Sequence, residues 1–185
     1  VIKALIVISE LQAQISENAE LAAIKEIEKE LTTAKEPAAS ILNSILAETY
    51  KNYYNQNRWT LYNRTITVNF KKDDIATWSA EDFHKKISEL YLQSIRNEKE
   101  LQNTRLNGYD AIIIKGNVRH LRPTLYDLLA NRALEYFEND ERDIKRPSYS
   151  FEINTASAFD PAADFIHRKF PTTDSLSLYH KALIT

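Results

Sequence analysis

Only two glycines, Gly108 and Gly116, and five prolines punctuate a chain of 185 residues. A sandwich or barrel of many short strands needs a turn every few residues, and tight turns with positive φ fall first to glycine. That turn chemistry is missing, so helices are expected to dominate. The stretch after Pro37 says the same thing positively. Ile41, Leu42, Ile45, Leu46, Thr49, Tyr50, Tyr53 and Tyr54 recur in pairs four apart, which gathers them on one side of an α-helix. Pro37 suits the first turn, where its missing N–H costs nothing.

The same periodicity extends to the neighbours. Ile2, Leu5, Ile6, Leu11 and Ile15 share one helical face, and Leu21, Ile24, Ile27 and Leu31 repeat the pattern, with a break near Ser16 and Asn18. Lys25, Glu26, Glu28, Lys29 and Glu30 alternate in sign and are expected on a solvated face. Ser79 and Asp82 resemble a capping box opening a helix that buries Phe83, Ile87, Leu90, Tyr91, Ser94 and Ile95. Pro123 and Thr124 start another, with Leu125, Leu128, Leu129, Ala133, Tyr136 and Phe137 inside and Asp127, Asn131, Glu135 and Glu138 outside. Ile66, Val68 and Phe70 alternate with polar residues, a short extended segment, whereas Ala111 to Lys115 fits either one helical turn or a brief strand.

The expected architecture is therefore all-α, a multi-helix bundle or helical-repeat-like array with at most one short extended segment. A helical module over 1–145 is followed by a loop around Arg146 and Pro147, then by two short helical signals, Pro161 to Phe170 and from Asp174 onward. There is no methionine, an apolar helical pattern is already under way at Val1, and another is unfinished at Thr185. We expect a piece of a longer protein whose residues 146–185 lead into a following domain.

Charge and composition narrow the function classes. With 24 Lys plus Arg against 26 Asp plus Glu, the net charge of -2 creates no field for nucleic acid or an anionic membrane. The absence of cysteine removes disulfides, thiolate metal sites and a cysteine nucleophile from this chain. The run Ala4 to Ile8 is too short to span a bilayer, so no direct membrane insertion is expected. Two isolated glycines provide neither a nucleophile elbow nor a phosphate cradle.

Four groups of residues merit weighing as chemistry. Glu81 with His84 and Asp164 with His167 each place a carboxylate three residues before a histidine, the spacing used in di-metal carboxylate bundles. Glu81 also falls in a first helical turn, where carboxylates serve the dipole, and His120 and His180 add no ligand spacing. Asp73, Asp74, Glu81 and Asp82 are adjacent carboxylates best read as loop and cap. Tyr50, Tyr53, Tyr54, Trp59 and Tyr62, interleaved with Arg58 and Arg64, suit either stacking on sugar rings or closing a core. Arg132 borders an apolar stripe and is expected to pair with Asp127 or with a neighbouring segment. None is assigned a catalytic, cofactor-binding or metal role, and no cofactor is expected.

Several strings, "SILNSILAETYKNYYNQNRW", "NRT", "DDIATWSAEDFHKKISELYLQSI", "LRPTLYDLLANRALEYFEND" and "FEINTASAFDPAADFI", resemble the helical N-terminal region of large bacterial alpha-2-macroglobulin-like proteins of the Bacteroidetes type. The similarity runs from about Ser40 onward. It implies a non-catalytic structural and interaction module of a cell-envelope or periplasmic endopeptidase inhibitor. Its partners would be the other domains of the parent chain and, through them, proteases. In that family a cysteine-containing thioester does the covalent trapping, and no position of this chain inherits that role. The competing expectations are a tetratricopeptide-like or glycan-binding adaptor using Tyr53, Tyr54 and Trp59, and a di-metal helical enzyme using the two carboxylate–histidine pairs.

Overall fold

The computed structural model describes residues 2–15, 19–61, 74–114, 116–139 and 150–185. It is all-α. Eight helices are described: α1 (Ile2–Ile15), α2 (Ala19–Leu31), α3 (Ala38–Leu61), α4 (Ala80–Ser94), α5 (Glu98–Asn103), α6 (Leu125–Phe137), α7 (Ala162–Phe165) and α8 (Leu178–Ile184). Among the described residues there is no strand; the extended pairing is one antiparallel bridge between Arg105 and Thr124. The alternating stretch Ile66, Val68, Phe70 lies outside the described residues, as does the loop around Arg146 and Pro147. The chain divides into two compact units, residues 1–133 and 134–185.

In the first unit α3 packs along α4 and α2, and α2 packs along α1. The stripe on α3 is buried as its spacing requires, with Leu42, Leu46, Tyr50 and Tyr54 almost wholly enclosed. The burial goes further than one face. Ser40, Ile41, Leu42, Asn43 and Ser44 are all buried in succession, and a helix turns every 3.6 residues, so its first turns are covered on all sides. Fully enclosing Leu42, Leu46, Phe83 and Ile87 contributes about 1.5–3 kcal/mol each. A second cluster joins Ile41 of α3 to Leu101, Leu106, Leu125 and Leu129, with Ile45, Ile95 and Tyr126 packed at its edge.

Two capping boxes fix where helices begin. Ser79 Oγ accepts from the Asp82 N–H at 3.2 Å, while the Asp82 carboxylate accepts from the Ser79 N–H at 3.0 Å, so the cap expected from the sequence forms. At α6 Thr124 and Asp127 repeat the arrangement at 3.2 and 2.9 Å. Asp127, expected on the wet face, is partly exposed and also closes its own helix start. Ala111 to Ile113 closes a hydrogen-bonded turn, Ile112 N–H to Tyr109 O at 2.9 Å, and makes no strand.

The second unit is smaller. Tyr136, Phe137 and Leu178 are its buried apolar side chains, and Phe151 lies against His180 with ring centres 4.8 Å apart. Both helical signals are shorter than the spacing predicts: α7 covers four residues after Pro161, and Asp174 to Ser177 form a turn before α8. The Asp174 carboxylate accepts the Leu176 N–H at 3.2 Å, and Ser177 caps α8 by accepting the His180 N–H at 3.1 Å. These short polar side chains compete for backbone donors, so they make a turn where apolar spacing alone suggests helix.

Two serines one turn apart on α3 should respond in opposite ways. The Ser40 hydroxyl is buried with no hydrogen-bond partner, so Ser40→Ala is expected to raise stability by roughly 0.5–2 kcal/mol. Ser44 Oγ accepts the Arg132 Nε–H at 2.8 Å, and Ser44→Ala is expected to lower stability by roughly 1 kcal/mol. Urea unfolding midpoints of the two variants check the sign.

Candidate functional site

The residues with the most chemical potential are gathered around two glutamates of the first unit. Glu28 of α2 accepts the Tyr50 hydroxyl of α3 at 2.8 Å and lies 3.8 Å from Lys86 Nζ of α4, so one carboxylate links three helices. The Tyr50 ring stacks on Trp78 with centres 5.5 Å apart and planes 5° from parallel, and Lys86 Nζ sits 5.7 Å from its ring centre. Phe83 wedges among Trp78, Tyr53 and Tyr54 at 5.2, 5.8 and 5.7 Å. Enclosure of the phenol pushes the Tyr50 pKa far above the ordinary tyrosine value; the hydrogen bond to Glu28 and that group's negative charge push it the same way. Tyr50 is thus held as a neutral donor. The charge alternation on α2 expected around Glu28 survives where Lys29 and Glu26 pair at 3.6 Å, and Glu28, its side chain 41% exposed, reaches across to α3.

Glu48 of α3 is the second node. It accepts the Tyr91 hydroxyl of α4 at 3.0 Å, faces Arg132 Nη2 of α6 at 3.6 Å, and pairs with Lys51 at 3.7 Å. Arg132 therefore pairs with a neighbouring segment through Ser44 and Glu48, and Asp127 is left to its cap. Sequence spacing could not single out Glu28 or Glu48, because nothing local distinguishes them from Glu26 or Glu30. The available signal was a tyrosine on the facing stripe, whose hydroxyl must find an acceptor when the ring is buried.

The remaining candidates separate. Glu81 is exposed while His84 is buried beside Tyr54, ring centres 5.1 Å apart, so the spacing of three does not bring carboxylate and imidazole together. Asp164 and His167 are both exposed on the short α7 turn. Among the described residues no group of three or more His, Asp or Glu is placed to share a metal ion. Asp74 caps the turn at Ile75–Thr77 by accepting the Ala76 N–H at 3.1 Å; Asp73 lies outside the described residues. Of the aromatic candidates, Tyr54 is core, Tyr53 is half-buried, and Trp59 is 86% exposed, so the three do not present one stacking platform. Tyr62 and Arg64 fall outside the described residues.

The second unit holds a groove of about 840 Å³, with Phe137, Glu138, Phe151, Glu152, Asp174 and Tyr179 among its walls. Beneath it Lys181 is buried, and its ammonium donates to the Ser175 carbonyl at 2.6 Å. His180 Nε2 is 2.5 Å from the Phe170 carbonyl. These groups brace the turn into α8. No helix among the described residues is long and apolar enough to cross a membrane. Set against known protein families, curated proteins and solved structures, the chain matches none of them.

Tyr50 gives the first unit a signed alkaline response. Below about pH 10 both folded and unfolded chains keep the phenol proton, and its contribution is intact. Above that, the unfolded chain releases a proton the folded chain retains, so stability falls as pH rises. Tyr50→Phe is expected to lower stability at neutral pH by about 1 kcal/mol and to make the alkaline decline shallower, read from urea midpoints across the alkaline range. At the second node both side chains are more than a third exposed. A Glu48→Gln and Arg132→Met double-mutant cycle is therefore expected to yield a coupling of no more than about 1 kcal/mol.

Proposed function

We propose that this chain is a non-catalytic structural and docking module of a large alpha-2-macroglobulin-like endopeptidase inhibitor of the bacterial cell envelope. The observation that supports a bracing role is the use of Glu28, Glu48 and Arg132. Together these side chains link α2, α3, α4 and α6. Each of these groups bridges helices while staying more than a third exposed, which suits a brace between elements. The parent assignment rests on the resemblance of the strings between Ser40 and Ile166, "PTLYDLLANRAL" and "DIATWS" above all. In this reading the module positions the domains that follow it. Any covalent capture of a protease belongs to a thioester elsewhere in the parent, since this chain has no cysteine.

The reading frame that encodes the chain tests this. A Cys-x-x-Gln segment downstream and a lipoprotein signal upstream are expected, and a short stand-alone frame would overturn the proposal. Metal analysis of protein purified without chelator is expected to find only substoichiometric iron or manganese; a stoichiometric metal would favour the di-metal enzyme instead.

A further inference from the structure

In the first unit the chain from Leu106 to Pro123 leaves the helical core and returns through a single backbone clasp. Leu106 N–H donates to Pro123 O at 3.1 Å and Leu125 N–H to Thr104 O at 2.8 Å, with Leu106 and Leu125 buried at the base. Beyond the clasp the usual order of burial inverts. Ile114, Val118 and Leu121 are 96, 60 and 68% exposed. Val118 is held at φ 48, in the left-handed region that a β-branched residue seldom enters. A hollow of about 340 Å³ opens at the inner part of the loop, lined by Ile2, Ala38, Tyr109, Ala111 and Ile112.

Charge on this loop is one-sided. Residues 105–122 carry Arg105, Lys115, Arg119 and Arg122 against the single carboxylate Asp110, a local charge of +3 in a chain whose net charge is -2. Arg119 is engaged by Asp110, whereas Arg105 and Arg122 are exposed and join no ion pair among the described residues. An apolar hollow and unpaired guanidinium groups on one loop are the complement of a partner that offers both oil and negative charge.

We propose that this loop and its hollow are a docking site for an acidic peptide segment bearing a large apolar side chain. The apolar group seats in the hollow against Tyr109, Ala111 and Ile112, and flanking carboxylates pair with Arg105 and Arg122. A concave apolar receiver suits an inserted side chain; a lipid surface would need only the protruding residues. Such a site requires no assumption about the parent protein, so a failure here and a failure of the macroglobulin reading are separate results.

The test is selection of random displayed peptides on the chain 1–185, followed by fluorescence anisotropy of the winners. Selected peptides are expected to carry acidic residues around a large apolar one and to bind more weakly as salt is raised. Their affinity is expected to fall roughly tenfold on Arg105→Glu with Arg122→Glu, and similarly on Ala111→Trp, which fills the hollow from an exposed position. Trp59→Ser, another exposed apolar position, is expected to leave binding unchanged, and all variants should retain the parent circular dichroism. The proposal is overturned if no peptide is selected, if winners lack acidic residues, or if both loop variants bind as tightly as the parent. It is equally overturned if vesicles containing anionic phosphatidylglycerol, and not peptides, retain the protein through the loop residues.

Discussion

A buried phenol is an awkward object: the ring is favoured away from water, but the hydroxyl must not be stranded there. Tyr50 resolves this by reaching from α3 to Glu28 on α2, and the resolution sets much else in the first unit. With the ring fixed, Trp78 has a flat surface to lie on, Phe83 has an edge to meet, and Lys86 has both a carboxylate and a π-face nearby. α2, α3 and α4 are thereby held in one register by a contact that apolar packing alone would leave free to slide. Tyr91 and Glu48 repeat the device with α4 and α3, and Arg132 brings α6 to the same carboxylate.

The helices were legible because their signal is periodic and local. The stripe from Ile41 to Tyr54, the Ser79 and Asp82 cap, and the inner face of α6 are all found where spacing puts them. What spacing could not give is which polar residues turn inward. Ser40, Asn43 and Ser44 look like the wet side of an amphipathic helix, yet neighbours cover that side as well, and only tertiary packing decides it. Asp127 has a use that spacing does not show: it stays partly exposed while its carboxylate closes its own helix start. α5, six residues long, is too short to leave a period of its own.

The candidate site was legible only as an inventory. Carboxylate–histidine spacing found Glu81 and His84, but a helical repeat of 3.6 lets residues three apart diverge enough for one to face water and the other an aromatic cluster. The aromatic group between Tyr50 and Trp59 reads two ways in the sequence, and helix phase divides it: Tyr50 and Tyr54 go to the core, Trp59 to solvent. Residues that carry no motif, Glu28 and Glu48, turn out to be the ones that connect most elements.

The clasp between Thr104 and Leu125 also separates two kinds of evolutionary freedom. Because both stems are anchored by buried leucines, and Tyr109 and Ile113 pack against the same cluster, the arc closes over a fixed base, and a longer outer part adds little entropy of closure. Tolerance therefore differs along the chain: the length of the arc is cheap to change, whereas the first turns of α3, covered on all sides, admit no added bulk.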